Sequence, residues 1–266
     1  MTFTEMLQAV RAAPRSVVIP TSWAQGRASF GGLVAAAAYE AMRAVTQEGR
    51  PVRSLAITFV GPVEVEMPVS FEAEALREGK SVSQVFCRAV QNGQVVALVQ
   101  GSFGESRSSS VEVENLPPPG FREPEHCQEL PFIRKLMPAF TQHIAMRWAR
   151  GHMPFSSSRE VEMGGWMRFR GDGVADASLE VSHLLALIDA WPPATLPHLK
   201  SPAPSSSLTW TVEFIQPQPQ MPVDGWCQYR ATIEHARDGY GHIAAHCWAP
   251  DGRLLAISRQ TATIFG

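Results

Sequence analysis

The first half of the chain pairs one helical pattern with a series of strand patterns. The segment FGGLVAAAAYEAMRAVTQ opens with two glycines and continues in good helix formers, which predicts one long helix. Four strand-like runs follow: VRSLAITFV, PVSFEAEAL, SVSQVFCRAVQ and QVVALVQGSF. Alternation predicts two core faces, one of Leu55, Ile57 and Phe59, the other of Val69, Phe71, Ala73 and Ala75. The turn QNG before the last run predicts a hairpin.

The second half repeats this order. In EVSHLLALIDAW, helical spacing places four apolar residues on one face: Leu184, Leu187, Ile188 and Trp191. Four strand-like runs follow: SLTWTVEFI, GWCQYRATIEH, GHIAAHCWA and RLLAISRQTATIF. Alternation in the first of them predicts a core face of Leu208, Trp210, Val212 and Phe214. The turn PDG matches QNG in place, and VEFIQP matches ITFVGP.

A helix followed by four strands, twice over, predicts an α+β protein of two repeats. In each repeat one long helix packs on a strongly curved antiparallel sheet. Two such units can pair sheet edge to sheet edge, which covers one exposed edge on each. A stretch rich in Ser, Pro and Glu predicts a linker, so the expected parts are residues 1–104, the linker 105–131 and residues 132–266. An unrelated α+β chain with accidental similarity between its halves is the alternative.

Composition and charge exclude several functions. The 266 residues are 45% hydrophobic and 18% charged, which is typical of a globular protein with a large core. The net charge of -2 provides no basic excess for nucleic acid or an anionic membrane. No run approaches the roughly 18 apolar residues of a membrane span. The opening MTFTEMLQAVRAAPRS lacks the features of a signal peptide.

The cysteine and histidine residues do not predict a metal site. The four cysteines are scattered and form no CxxC pair, so we expect free thiols in a cytoplasmic protein. His242 and His246 would lie about 13 Å apart along one strand, too far for one ion. We therefore expect structural roles for them, and no metal or cofactor.

Asp189 does not fit the apolar run LLALIDAWPPA in which it lies. The pair Pro192-Pro193 must end the helix soon after it, and a carboxylate there meets the negative end of the helix dipole. Helix stability therefore does not explain this residue. A solvated carboxylate at the helix end is the alternative to a functional acid.

Several segments resemble the acyl-CoA thioesterase II family. FGGLVAAAA, RSLAITFVGPV, LREGKSVS and QNGQVVALVQGSF are similar to its N-terminal half, and LLALIDAWPP, SLTWTVEFIQP and DGRLLAISRQTATI to its C-terminal half. The resemblance covers most of the chain outside the linker and the first dozen or so residues. It implies a double hotdog fold and hydrolysis of acyl-CoA thioesters, with no metal and no covalent intermediate.

The resemblance also implies a catalytic set. The family uses an Asp on the second helix, a Thr or sometimes Ser opening the next strand, and a Gln on the final strand. These positions fall on Asp189, Ser207 and Gln260. The chemistry requires a base for water and two groups that orient it. Serine in place of threonine keeps the hydroxyl, and the neighbours Ser205 and Ser206 leave the register open by one or two residues.

The alternation of residues along the strands gives different predictions for the two residues that would orient the water. Gln260 alternates with small and apolar residues, which predicts that it points inward. Ser207 alternates with Thr209 and Thr211 on the more polar side, so an exposed strand hydroxyl is an equal alternative for it.

Four further residues are candidates for substrate contacts. The backbone N–H groups of Gly31 and Gly32, at a helix N-terminus, are suited to hold an oxyanion. In the turn LREGKS, Arg77 and Lys80 are candidates for the CoA phosphates, and a solvated hairpin tip is the alternative.

The first repeat lacks most of the catalytic set. Glu40 is its only candidate for a second acid, and Gly101 or Gln100 falls near the position that Gln260 occupies in the second repeat. We expect one working site per chain, made mainly by the C-terminal repeat.

Two other functions compete with hydrolysis. One is a hotdog acyl-CoA hydratase or dehydratase, but His183, the only nearby histidine, lies off the helical face of Asp189. The other is an acyl-CoA binding protein without turnover. The expected partner is acyl-CoA, with neither nucleic acid nor membrane, and a homo-oligomer remains open.

Overall fold

The computed structural model describes residues 1–113, 116–171 and 177–265. Part of the predicted linker (114–115) and part of the predicted second repeat (172–176 and 266) lie outside the described residues. The predicted repeat and linker boundaries stay predictions.

The N-terminal half contains the predicted helix and its four strands, together with short elements before them. Its helices and strands are α1 (Phe3–Ala12), β1 (Val17–Val18), β2 (Ala24–Gln25), β3 (Ala28–Ser29), α2 (Gly31–Arg43), β4 (Val52–Phe59), β5 (Pro68–Glu78), β6 (Val82–Gln91) and β7 (Gln94–Gly104). The sequence patterns did not predict α1, whose apolar face packs into the core.

The C-terminal half also contains its predicted helix and four strands. Its elements are β8 (Gln128–Glu129), β9 (Ile144–Arg150), β10 (Glu162–Phe169), α3 (Val181–Ala190), β11 (Ser205–Phe214), β12 (Cys227–Arg237), β13 (Tyr240–Trp248) and β14 (Leu254–Ile264). Strands β9 and β10 precede the helix and were not predicted. The Gly164-Gly165 pair in β10 lowers its strand propensity, yet a Cβ on Gly165 would lie 1.9 Å from the Arg147 carbonyl oxygen, so the close strand pairing requires glycine.

The two halves share one antiparallel sheet. Its strand order is β1-β5-β6-β7-β4-β11-β14-β13-β12-β10-β9-β8, and the halves meet where β4 pairs with β11. These are the first strands after the two central helices, so the repeats pair edge to edge as predicted. The helices α2 and α3 pack against each other, and their buried residues belong to one core.

The predicted core faces are correct in their central parts. Leu55, Ile57, Val69 and Phe71 are buried, Phe59 and Ala73 are half-buried, and Ala75 is exposed with the rest of the outer part of β5. Leu208 is also exposed, at 37%, whereas the rest of its predicted face is buried.

A bulge explains the exposure of Leu208. Ser207 pairs with Ala262 and Thr209 with Thr261, so Leu208 is an extra residue with no partner on β14. The extra residue reverses the alternation, and Ser207 therefore lies on the same side of the sheet as the buried Ala262.

The two central helices cross at very close range. A Cβ on Gly32 would lie 2.9 Å from the Cα of Ala186 on α3, and 2.7 Å from the Cζ of Phe30. Only a residue without a side chain allows this approach. The crossing brings the N-terminus of α2 to the C-terminal turn of α3.

We expect Gly32→Ala to destabilise the fold. The gain of roughly 1 kcal/mol in helix propensity is smaller than the roughly 1–3 kcal/mol that overpacking costs. Urea unfolding should show a lower midpoint for this variant. Gly61→Ala is the control, since nothing lies within 4 Å of its Cβ position. Equal midpoints for the two variants would contradict the close crossing.

Candidate active site

Asp189 lies in the last turn of α3, next to the N-terminus of α2. The backbone N–H of Gly32 donates a hydrogen bond to its carboxylate, and a Cβ on Gly31 would lie 2.9 Å from its Oδ2 atom. The carboxylate therefore occupies space that is available only because α2 begins with glycine. The positive, N-terminal end of the α2 dipole partly compensates this carboxylate for the solvent that it loses on burial.

Burial makes the carboxyl group of Asp189 a weaker acid than an exposed aspartate. Desolvation raises the pKa of its carboxyl group from 3.8 to about 7, although hydrogen bonds from Gly32 and Gln260 favour the charged form. The residue is partly accessible from an adjoining recess. It is not the solvated helix-end acid that was the alternative.

Gln260 joins the three predicted catalytic positions. Its Nε2 atom donates to the Ser207 Oγ at 2.6 Å and lies 3.4 Å from the Asp189 Oδ1. The inward position of Gln260 agrees with its strand parity. The inward position of Ser207 contradicts its parity, and the bulge at Leu208 is the reason.

The neighbouring serines have other partners. Ser205 donates to the carbonyl oxygen of Thr263, and Ser206 pairs with the hydroxyl of Thr263 at 3.0 Å. Of the three neighbouring serines, Ser207 is therefore the one that contacts Gln260.

The two predicted oxyanion glycines differ in their hydrogen bonding. Gly32 donates to Asp189, so its N–H group is occupied while that carboxylate is charged. The N–H group of Gly31 has no acceptor among the described residues.

A recess beside Asp189 and Gln260 has aromatic and aliphatic walls. About 320 Å³ of empty space, partly open to solvent, lies within it. Its walls include Trp191, Trp210, Tyr229, Ile243 and Ala245. Sequence reasoning assigned no role to Tyr229, and saw in Trp191 only a helix-packing residue.

The other predicted contacts lie apart from this site. Arg77 and Lys80 are exposed at the hairpin between β5 and β6, and no ion pair joins their side chains to another described residue. Their contact with CoA phosphates stays a prediction. His242 lies 3.3 Å from the Thr261 hydroxyl, and His246 stacks on Trp248.

The described residues provide neither a metal site nor a helix that could span a membrane. They contain no group of three His, Cys, Asp or Glu side chains placed to hold a metal ion. No helix in the described ranges is long and apolar enough to cross a membrane.

The first repeat places Glu40 where α2 meets the start of α3. Its buried carboxylate accepts hydrogen bonds from Ser182 and from Arg11, the latter at 2.7 Å and 3.0 Å. Burial acts to raise the pKa of Glu40, but these hydrogen bonds outweigh it, so the pKa lies below its usual range. Arg11 belongs to α1 and also pairs with Glu180. Glu40 is thus a charged partner in an ion pair, unlike Asp189.

The strand register shows what replaces the other two catalytic positions in the first repeat. Leu55 in β4 corresponds to Trp210 in β11, and their partners are Gly101 and Gln260. The methyl group of Met42 occupies the space above Gly101, where a Cβ would lie only 2.5 Å away.

The bulge is also duplicated. Val52 pairs with Phe103 and Ser54 with Ser102, so Arg53 is the extra residue in β4 as Leu208 is in β11. Val52 therefore corresponds to Ser207, and the first repeat has neither the hydroxyl nor the amide.

The duplicated helix-and-sheet unit, with a buried acid at one helix crossing, places this chain among the hotdog-fold hydrolases. More narrowly, it belongs to the acyl-CoA thioesterase family. The family's C-terminal domain model matches residues 124–264, and its N-terminal domain model matches residues 19–104. The resemblance found in the sequence is confirmed, and with it the hydrolysis of acyl-CoA thioesters.

Individual relatives support the same assignment. Acyl-CoA thioesterase 2 of Haemophilus influenzae is 21% identical over 255 residues, covering 90% of this chain and 88% of that protein. A hot dog fold protein of Alicyclobacillus acidocaldarius has a TM-score of 0.83 at 23% identity, covering 98% of both chains. Acyl-CoA thioesterase II TesB2 of Mycobacterium marinum has a TM-score of 0.76 at 17% identity, covering 97% of this chain and 98% of its own. These structures confirm the double hotdog fold.

We expect Arg11→Met to destabilise the protein, because it leaves the buried Glu40 carboxylate without its cation. Losing one partner of a buried pair costs about 3–5 kcal/mol, and the partial exposure of Arg11 places this loss at the lower end. Adding Glu40→Gln should restore most of that loss, since the buried charge is then absent. Urea unfolding measures both variants.

The control for this prediction is Arg88→Met, which removes a more exposed ion pair with Glu72. Its effect should stay below about 1 kcal/mol. If Arg11→Met is no worse than this control, Glu40 does not depend on Arg11.

Proposed function

We propose that Asp189 acts as the general base for attack of water on the carbonyl carbon of a bound acyl-CoA. The carboxylate takes a proton from water as the new C–O bond forms. When the C–S bond breaks, the same carboxyl group returns the proton to the departing thiolate. The observation that carries this proposal is the contact of Asp189, Gln260 and Ser207 beside an apolar recess.

The acidity of Asp189 suits this role. A general base is most effective when its pKa lies near the working pH, and burial raises this carboxyl group to about 7. An exposed aspartate, with a pKa near 3.9, would be a much weaker base.

Ser207 and Gln260 would orient the water. Gln260 donates to the Ser207 oxygen, so the serine hydroxyl proton is free to point elsewhere. A water held by the hydroxyl and by the carboxylate would be fixed from two sides. For the oxyanion we propose the N–H group of Gly31, which lies at the positive end of the α2 dipole and has no acceptor among the described residues.

The competing functions have less support. The Nδ1 atom of His183 accepts from the Glu180 N–H at 3.2 Å, and its Nε2 atom lies 3.4 Å from the Thr4 hydroxyl. This histidine is therefore directed to the start of α3, and a hydratase that pairs Asp189 with it is disfavoured. A binding protein without turnover would have no need of the raised pKa. The first repeat has Gly101 and Val52 at the other two positions, and its Glu40 is held in an ion pair with Arg11, so we propose one working site per chain.

The cellular setting completes the proposal. The four cysteines are free thiols, which favours a reducing compartment such as the cytoplasm. Acyl-CoA as the substrate places the reaction in lipid metabolism.

We expect Asp189→Asn to lower kcat for acyl-CoA hydrolysis at least about a hundredfold, because an amide cannot accept the proton. In the wild type, kcat/KM should rise with pH and level off above about 7, since the active carboxylate forms as the proton leaves. Release of free thiol from a panel of acyl-CoAs measures both.

Asp224→Asn is the matched control, because this aspartate is exposed. It should match the wild type. If Asp189→Asn hydrolyses as fast as this control, Asp189 is not the base. If the wild type releases no thiol from any acyl-CoA, the protein only binds its ligand.

We expect Ser207→Ala to lower kcat roughly tenfold, the value of one hydrogen bond. Ser206→Ala is the control, because Ser206 pairs with Thr263 outside the site. Ser207→Thr should keep most of the activity, since it retains the hydroxyl. A normal rate for Ser207→Ala would remove the serine from the proposed site.

A further inference from the structure

One wall of the recess is a fixed group of aromatic rings. Trp191 stacks on Tyr229, with ring centroids 5.4 Å apart and planes 10° apart. It also packs on Trp148 at 4.6 Å and donates from its indole Nε1 to the Met167 sulfur at 3.2 Å. A ring held from several sides does not move aside easily, so this wall limits the depth of the recess.

Most polar side chains on the recess walls have partners within the protein. The indole of Trp210 donates to the Ser258 hydroxyl at 2.8 Å, and Asp189 and Gln260 are joined to each other. The Tyr229 hydroxyl differs from them: no described residue forms a hydrogen bond with it.

This unpartnered hydroxyl is deeply placed. Tyr229 is only 7% exposed, and its neighbours on the wall include Ile243 and Ala245. The hydroxyl oxygen is not itself fully buried, so a ligand in the recess would supply the hydrogen bond that the protein does not. Asp189 and Tyr229 both line the recess, so the proposed base and the phenol border the same space. A substrate held at Asp189 would therefore extend its acyl group toward Tyr229.

We propose that the Tyr229 hydroxyl binds an oxygen atom on the acyl group, and that the protein prefers short acyl-CoAs carrying a hydroxyl substituent. This inference rests on the proposed function, because it places the thioester carbonyl beside Asp189. The recess is narrow, which favours a short chain over a long one. An unsubstituted chain would leave the phenol without a partner.

The test compares butyryl-CoA with 3-hydroxybutyryl-CoA and 4-hydroxybutyryl-CoA by release of free thiol. We expect the wild type to hydrolyse at least one hydroxylated substrate with kcat/KM about tenfold above butyryl-CoA, the effect of one hydrogen bond. Tyr229→Phe should remove this preference, so that the ratio of kcat/KM for the hydroxylated substrate to kcat/KM for butyryl-CoA falls to about one, because only the hydroxyl is lost.

Tyr39→Phe is the matched control. Tyr39 is also buried, at 6% exposure, but it belongs to α2 and stacks on Phe103 outside the recess. This variant should keep the wild-type preference. Loss of the substrate preference in Tyr39→Phe would show that deleting any buried phenol hydroxyl has the same effect.

Three results would overturn the inference. They are a wild type without the preference, a Tyr229→Phe variant that retains it, and a wild type that hydrolyses only long unsubstituted chains. If hydrolysis still depends on Asp189 in any of these cases, the proposed function stands. The absence of hydrolysis of any acyl-CoA by the wild type would overturn both.

Discussion

The close crossing of α2 and α3 is the contact on which the site depends. Gly32 lies against the backbone of Ala186, and this approach brings the first turn of α2 to the carboxylate of Asp189. A larger residue at Gly31 or Gly32 would move the helix N-terminus away from the acid. The same contact buries the carboxylate and supplies it with a backbone donor, so packing and acidity have one cause.

The internal duplication gives the α2–α3 pair one acid at each end, with different outcomes. At one of them Asp189 is opposed only by neutral donors, and its pKa rises. At the other, Arg11 reaches Glu40 from the added helix α1, and the pKa falls. A cation within hydrogen-bond distance stabilises the charged form by more than burial destabilises it. The N-terminal helix therefore turns the second acid into a structural ion pair.

The sequence predicted the elements better than it predicted the geometry. Periodicity located α2, α3 and their eight strands, and the family resemblance pointed to Asp189, Ser207 and Gln260, which lie together in the structure. The sequence did not reveal the bulge at Leu208. A single extra residue leaves the alternating pattern of residue types intact, but it reverses which residues face the core. Nor did the sequence connect Arg11 with Glu40 or Tyr229 with the recess, since such contacts join distant segments and depend on the tertiary fold.

The raised pKa of Asp189 also explains why local stability does not favour an acid at this position. An acid with a pKa near 3.8 in the unfolded chain and about 7 in the fold binds more protons when folded between these two values. The free energy of unfolding contributed by this group therefore falls as the pH rises through that interval, by up to about 4 kcal/mol. Near neutral pH the fold retains a group that destabilises it, and the large core of both repeats compensates. Such a residue agrees better with the proposed role in proton transfer than with a role in folding, and its conflict with helix propensity points the same way.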